Sequence, residues 1–430
     1  MPAPAPRTFF QNFIDTEAVG GIALVAAAVV ALVVANSPWA EGYEGLLATR
    51  LVAGPEGHPL TLTAQQWIND GLMAVFFLLV GLEIKREFLV GELSSRQQAA
   101  LPIVAALGGV IAPAALYFAL APPDARVGWA VPTATDIAFA LGVLALAAPS
   151  APSGLKVFLA ALAIVDDMAA ILVIAIFYTA SVHAEALAMA AAVLAAMVLA
   201  NRLHVRHLGV YLGLGTVLWF FIHESGVHAT VAGVLTAFTV PIRTRVNAAE
   251  FSAASRAILD EFDRTETGDL QIITSKGQQE ALHALESASD AVTAPLLRLE
   301  HALHRTIVFA VMPVFALANA GVPLTTGGDN LSALAVAVGL VVGKPLGIGA
   351  ASWLACRAGW ASLPAQVTWP MLLGAAAIAG IGFTMSLFIA GLAFGGGPRF
   401  AAAQLGIFVA SGVAAAIGTL MVRRAMAGRG

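Results

Sequence analysis

The sequence predicts an all-α polytopic membrane protein of about twelve transmembrane helices, with inverted-topology repeats and two broken helices. Three observations predict it. Of 430 residues, 59% are hydrophobic and only 11% are charged, against about 25% charged in an ordinary globular chain. Charge-free stretches close to the roughly 20 residues that cross a bilayer recur along the whole length. Basic residues gather on alternate connections between those stretches, as the positive-inside rule requires.

Such a chain cannot clothe a soluble surface with polar groups, but it can sit in lipid. Its net charge of −4 offers no basic face, so membrane lipid is an expected partner and nucleic acid is not. The single cysteine, Cys356, excludes an intrachain disulfide and a cysteine-based metal cluster. No catalytic domain flanks the apolar segments, so neither enzymatic activity nor a cofactor is expected.

The first apolar stretch, Ala18 to Ala40, runs 23 positions without a charge. Only Arg7 precedes it, and it exceeds the core of a cleavable signal, so it reads as a retained first helix. Charge gaps then place helices near 14–36, 67–88, 100–120, 127–147, 155–180 and 184–200. The second set lies near 207–222, 226–241, 305–322, 331–354, 365–393 and 401–422. Helices one to eight thus occupy 14–241 and nine to twelve 305–422, with residues 1–13 and 423–430 as termini and 242–304 as an acidic loop.

With the N-terminus inside, 18 of the 22 basic residues fall on the cytoplasmic side. Arg50, Arg126 and Arg399 fall outside, and Lys344 lies within a span. Both termini and the acidic loop are therefore expected to be cytoplasmic, in an inner (plasma) membrane protein. Residues 247–300 carry ten acidic and four basic residues and read as a solvated linker, with short surface helices at Ala253–Phe262 and Gln279–Leu285. A regulatory or partner-binding loop is the alternative.

Four charges lie where charge is expensive. Asp136 is alone between Val127 and Leu155, the pair Asp166-Asp167 between Val157 and Ala184, and Lys344 between Asn330 and Cys356. Each costs about 2.5–3.5 kcal/mol near mid-membrane. Pairing for packing alone explains little, because a buried ion pair seldom improves on apolar residues of the same volume. A proton and cation pathway fits better.

Neighbouring helical residues point about 100° apart, so Asp166 and Asp167 cannot share one direction. One can face an aqueous funnel while the other leans toward a second helix, with Lys344 as its counter-charge. Two carboxylates about 5 Å apart repel by roughly 3 kcal/mol at an effective dielectric of 20. At least one acid therefore holds a proton until a cation replaces it, which makes the pair a competition site. The ligands on offer are all oxygens, from carboxylates, the hydroxyls of Thr133 and Thr135, and unpaired carbonyls. That set suits Na+ or Li+ rather than a softer metal.

Two segments are predicted to break in mid-membrane. Pro132, four residues before Asp136, removes a backbone donor. The run Gly380-Ile381-Gly382-Phe383-Thr384-Met385-Ser386 interrupts the eleventh span with glycines and small polar residues, although close helix packing also accounts for such glycines. These fourth and eleventh spans are the middle members of triplets running in opposite senses, a transporter arrangement that points to the binding site.

Several strings resemble the NhaA-type bacterial sodium/proton antiporter family over nearly the whole chain. They are Trp67-Ile68-Asn69-Asp70 with Phe76–Glu87, Ala134–Gly142, Ala163-Ile164-Val165-Asp166-Asp167, Ser225–Thr230, Phe315–Val322 and Gly343-Lys344-Pro345-Leu346-Gly347. The resemblance implies electrogenic, pH-regulated exchange of internal Na+ or Li+ for external protons by alternating access. It implies Asp166 and Asp167 as carriers, with Asp167 the direct ion ligand and Thr135 beside them. Asp136 and Lys344 would offset half-helix dipoles where the two broken helices cross, or be proton-coupled; Lys344 would also pair with the first acid, either carrying a transported proton or stabilising the fold. Glu83, Lys85, Glu87, Glu300 and His301 match positions near a pH-gated cytoplasmic mouth, where ordinary charged helix ends are the alternative; His304 is a further candidate. His228 matches a motif and is either pH-responsive or simply packed. The family's dimers imply a homodimer through a hairpin in residues 43–65, with Thr61-Leu62-Thr63 as one strand. The 247–300 loop is longer than the family's usual connection and adds acids and His283 near the sensor.

Other readings fare less well. A proton- or sodium-coupled symporter of a small organic solute would need more polar recognition groups. An intramembrane aspartyl protease takes its acids from separate helices, and a passive channel needs no titrating pair.

Overall fold

The computed structural model describes residues 9–53, 60–179, 182–244, 246–264, 276–323 and 330–428. Helices dominate them. Seven are long and apolar enough to cross a membrane, or up to ten if each bent pair counts as one span. The chain is a multi-pass membrane protein.

Helix α1 (Phe9–Ala35) is followed by the short α2 (Ala40–Ala48) and an antiparallel hairpin of β1 (Arg50–Ala53) and β2 (Leu60–Thr63). The expected strand lies in β2; residues 54–59 of the expected hairpin are outside the described residues. Thr63 then caps α3 (Ala64–Val90) in a reciprocal box with Gln66. Helix α4 (Arg96–Leu120) returns.

The fourth span is broken. Pro123–Thr133 (α5) is wound as a 3-10 helix, residues 134–136 are extended, and α6 (Ile137–Ala147) continues at 52°. Pro132 sits at the end of the tight segment, where its missing N–H costs no α-helical bond. Helices α7 (Ser153–Phe177), α8 (Ala184–Arg202) and α9 (Leu208–Glu224) follow. The eighth expected span contains only nine helical residues, α10 (Val231–Thr239), because His228 to Thr230 turn instead of winding.

The acidic region holds two helices longer than expected, α11 (Ala248–Arg264) and α12 (Lys276–Val292), with 245 and 265–275 outside the described residues. It also ends sooner than residue 304: α13 (Pro295–Asn319) opens with Pro295 at its first turn, taking Glu300 and His301 into the helix. Helix α14 (Asn330–Arg357) precedes the second broken span, α15 (Trp369–Ile378) and α16 (Phe383–Phe394), bent by 48°. Helix α17 (Gly397–Ala427) closes the chain.

Small residues let helices α4 and α14 cross closely. A Cβ on Gly108 or on Gly347 would strike the other's main chain. Three residues before Gly347, Lys344 follows the π-helical turn Gly339–Gly343, whose glycines lean on Pro132 and Pro113. The same crossing thus fixes the height of the buried lysine and of the α5–α6 break.

Candidate functional site

The two breaks meet. The Asp136 N–H donates to the Ile381 carbonyl at 2.8 Å, and the Thr135 hydroxyl donates to the Ala379 carbonyl at 2.8 Å. Ser386 completes the junction by donating to the Val131 carbonyl at 2.8 Å. Backbone freed from helical bonding is satisfied inside protein, the condition for irregular chain at membrane depth.

Asp136 caps two helices at once. Its carboxylate accepts from the Phe139 N–H at 3.0 Å, in the first turn of α6, and from the Thr384 N–H at 3.2 Å, in the first turn of α16. The Thr384 hydroxyl donates to it as well. A helix N-terminus carries about half a positive charge, so two such ends converge on one buried anion.

Lys344, 1% exposed, donates to Asp166 and to the Thr135 hydroxyl. Through Thr135 it is tied to the carbonyl of Ala379, just past the negative end of α15. Asp167 is equally buried, but neither of its carboxylate oxygens has a hydrogen-bond partner. The turn of about 100° per residue explains the split: Asp166 faces α14 and Asp167 does not. The charges of Asp166, Asp136 and Glu83 all bear on Asp167.

The expected mouth residues cluster at one end of α3. Arg86 pairs with Glu87 at 2.9 Å and with Glu300 of α13, which is 5% exposed. Lys85 instead donates to the carbonyls of Phe238 at 2.7 Å and Val240 at 2.5 Å, capping the end of α10. His301 is exposed, and His304, one turn along, is half-buried. Glu83 is three residues before Arg86 on α3, and its charge acts on both Arg86 and Asp167. His228 is elsewhere, near the start of α3, with Nε2 3.6 Å from Asp70.

A family described as Na+/H+ antiporter 1 matches residues 11–422. The chain belongs to that family. A protein named Na(+)/H(+) antiporter NhaA from Oleidesulfovibrio alaskensis is 45% identical, covering 100% of this chain and 98% of its own length. Its namesake from Acidithiobacillus ferrooxidans is 46% identical over 96% of each chain, and that from Bordetella parapertussis 45% over 98% of each.

Sequence reasoning assigned no role to Thr384, Arg86 or Asp70. Thr384 stands in the glycine-rich break, where a hydroxyl three residues before the apolar run was the available signal. Arg86 and Asp70 are charges inside the second span whose partners, Glu300 and His228, come from distant segments.

Proposed function

We propose that the protein is a secondary antiporter that expels Na+ or Li+ in exchange for external protons, with Asp167 as the exchange group. The partnerless Asp167 carboxylate carries this reading. A buried carboxylate without hydrogen bonds is costly as an anion and is stabilised by either a proton or a hard cation. Both cannot occupy it together, so each displaces the other.

Asp166, held by Lys344, supplies the second acid, and release of the lysine's contact would let the pair take part in proton movement. Exchange of more than one proton for each Na+ makes the cycle electrogenic. Alternating access follows if the junction of α5–α6 with α15–α16 rocks against the rest, exposing Asp167 to each side in turn. The twelve apolar segments, two of them broken in mid-span, support a twelve-span inverted-repeat arrangement. Basic residues on alternate connections support cytoplasmic termini in the inner membrane. On that orientation Glu83, Glu87, Glu300 and His301 lie near the cytoplasmic mouth, placed to set the pH at which cations reach Asp167. The exposed β1 strand favours a homodimer formed through the hairpin. Solute symport has no support from the relatives, which are named as antiporters.

Proteoliposomes with an imposed pH gradient and a trapped pH dye test this. Na+ and Li+ should collapse the gradient and K+ should not. Indifference to all three between pH 6 and 9 would refute the reading.

A further inference from the structure

Helices α3 and α13 run antiparallel and are tied together at both ends. At one end Arg86 of α3 pairs with Glu300 of α13. Seventeen residues back along α3, Asn69 meets Asn319, the last residue of α13. At about 1.5 Å per residue, roughly 25 Å of helix separates the two ties. The amides exchange hydrogen bonds: Asn319 Nδ2 donates to Asn69 Oδ1 at 2.8 Å, and Asn69 Nδ2 donates to Asn319 Oδ1 at 3.2 Å. Asn side chains bond across membrane helices in this way. On the orientation proposed above, this tie lies at the extracytoplasmic end.

The end of α13 is anchored from several sides. A helix leaves its last four carbonyls without intrahelical donors. Here the Ala316 carbonyl accepts from the Ala320 N–H at 2.8 Å, and that of Leu317 from the Tyr43 hydroxyl at 2.7 Å. The Ala318 carbonyl accepts from the Gln65 amide at 3.4 Å, and that of Asn319 from the Gln404 amide at 2.7 Å. Helices α2, α3 and α17 thus each supply a donor. Asn319 itself is 3% exposed, and a buried amide deprived of its partner costs more than an ordinary hydrogen bond returns. Helix α3 therefore leaves α13 at this end only when water replaces the Asn69–Asn319 bonds.

Beneath this tie the two helices hold α16 between them. The Phe388 ring lies 5.6 Å from that of Phe77 on α3 and 6.2 Å from that of Phe315 on α13. One turn earlier on α16, Thr384 holds Asp136. Rocking the junction against α3 and α13, as alternating access requires, works against the amide tie. We propose that the Asn69–Asn319 pair is the latch of the extracytoplasmic gate: it holds α3 on α13 while that side is shut and parts when Asp167 is exposed to it. Both are positioning residues and touch no transported ion. Neither amide titrates, so the latch holds equally at every pH, whereas the tie at the other end includes a carboxylate. The gating role rests on the antiport reading.

Asn69→Ala removes the reciprocal pair and leaves Asn319 its bond to the Phe315 carbonyl. Fewer molecules are then shut on the extracytoplasmic side, and apparent affinity on a side follows the fraction of molecules open to it. In right-side-out and everted vesicles, the KM for Na+ offered from the extracytoplasmic side should fall about fivefold, while the KM from the cytoplasmic side does not fall. Gln404→Ala removes a bond to the same helix end without touching α3 and should leave both values unchanged. A loosened fold would raise both values in Asn69→Ala; that result, or two unmoved values, overturns the latch. Ala390, fully buried on α16, gives a readout without transport. With Cys356→Ser as background, Ala390→Cys should react with a membrane-impermeant thiol reagent added outside about fivefold faster once Asn69→Ala is present. Equal rates overturn the latch. If the wild type exchanges no cation, the antiport reading fails and the labelling rates alone decide whether this end opens.

Discussion

Asp167 follows Asp166 on the same helix and shares none of its hydrogen-bonding partners. Lys344 donates to Asp166, while both oxygens of Asp167 are buried and unpaired. Two adjacent residues of identical chemistry thus hold different positions in the energy of the fold: one is part of its framework, and the other is strained by it.

Replacing Asp167 by Asn should abolish cation-driven proton movement without lowering the melting temperature. The substitution removes a buried acid that makes no hydrogen bond, so nothing in the fold depends on it. Thermal unfolding in detergent, followed beside transport, checks both parts; a marked loss of stability would show that Asp167 has a structural partner.

Lys344→Met should be strongly destabilising, by about 3–5 kcal/mol, because Asp166 is left as an uncompensated buried charge. Adding Asp166→Asn should recover much of that loss. A double-mutant cycle on unfolding free energies measures the coupling, and additive losses would contradict a direct pair.

Asp136→Ala uncaps α6 and α16 together. Each lost cap costs about 0.5–2 kcal/mol, so the variant should lose roughly twice what a single-cap deletion does. Thr384→Val, which removes only the hydroxyl donor, should cost about 1 kcal/mol. If the two variants melt alike, the double-cap description fails.

Gly347→Val should prevent the close crossing of α4 and α14, where a Cβ already meets the main chain of Gly108. Lys344 would be displaced with it. The expected result is poor folding with loss of exchange, whereas an exposed position such as Gly412, which has open space beside it, should accept Ala with little effect.

Charge was the readable part of this chain. Asp136, Asp166, Asp167 and Lys344 stand out because ionisable residues are rare in apolar spans, and the structure brings all four to one junction. Pro132 and the glycines near Gly380 marked the breaks for a local reason, lost or weakened helical bonding. Extents were harder to read. The short α10 and the early start of α13 depend on turns at His228–Thr230 and Pro295, which hydropathy does not register. Contacts made across the bundle, such as Thr384 on Asp136 or Asp70 beside His228, are invisible until distant segments are placed together. Small polar residues near breaks and charges near span ends were their only trace.

The central claim is that Na+ and a proton compete for Asp167. Its most direct test is proton release from purified protein in weakly buffered detergent, recorded by a pH electrode on addition of Na+. The wild type should release protons in a saturable manner at neutral to alkaline pH, K+ should release none, and Asp167→Asn should be silent to both. Equal release from Asp167→Asn and wild type would contradict the claim and move the exchange site elsewhere.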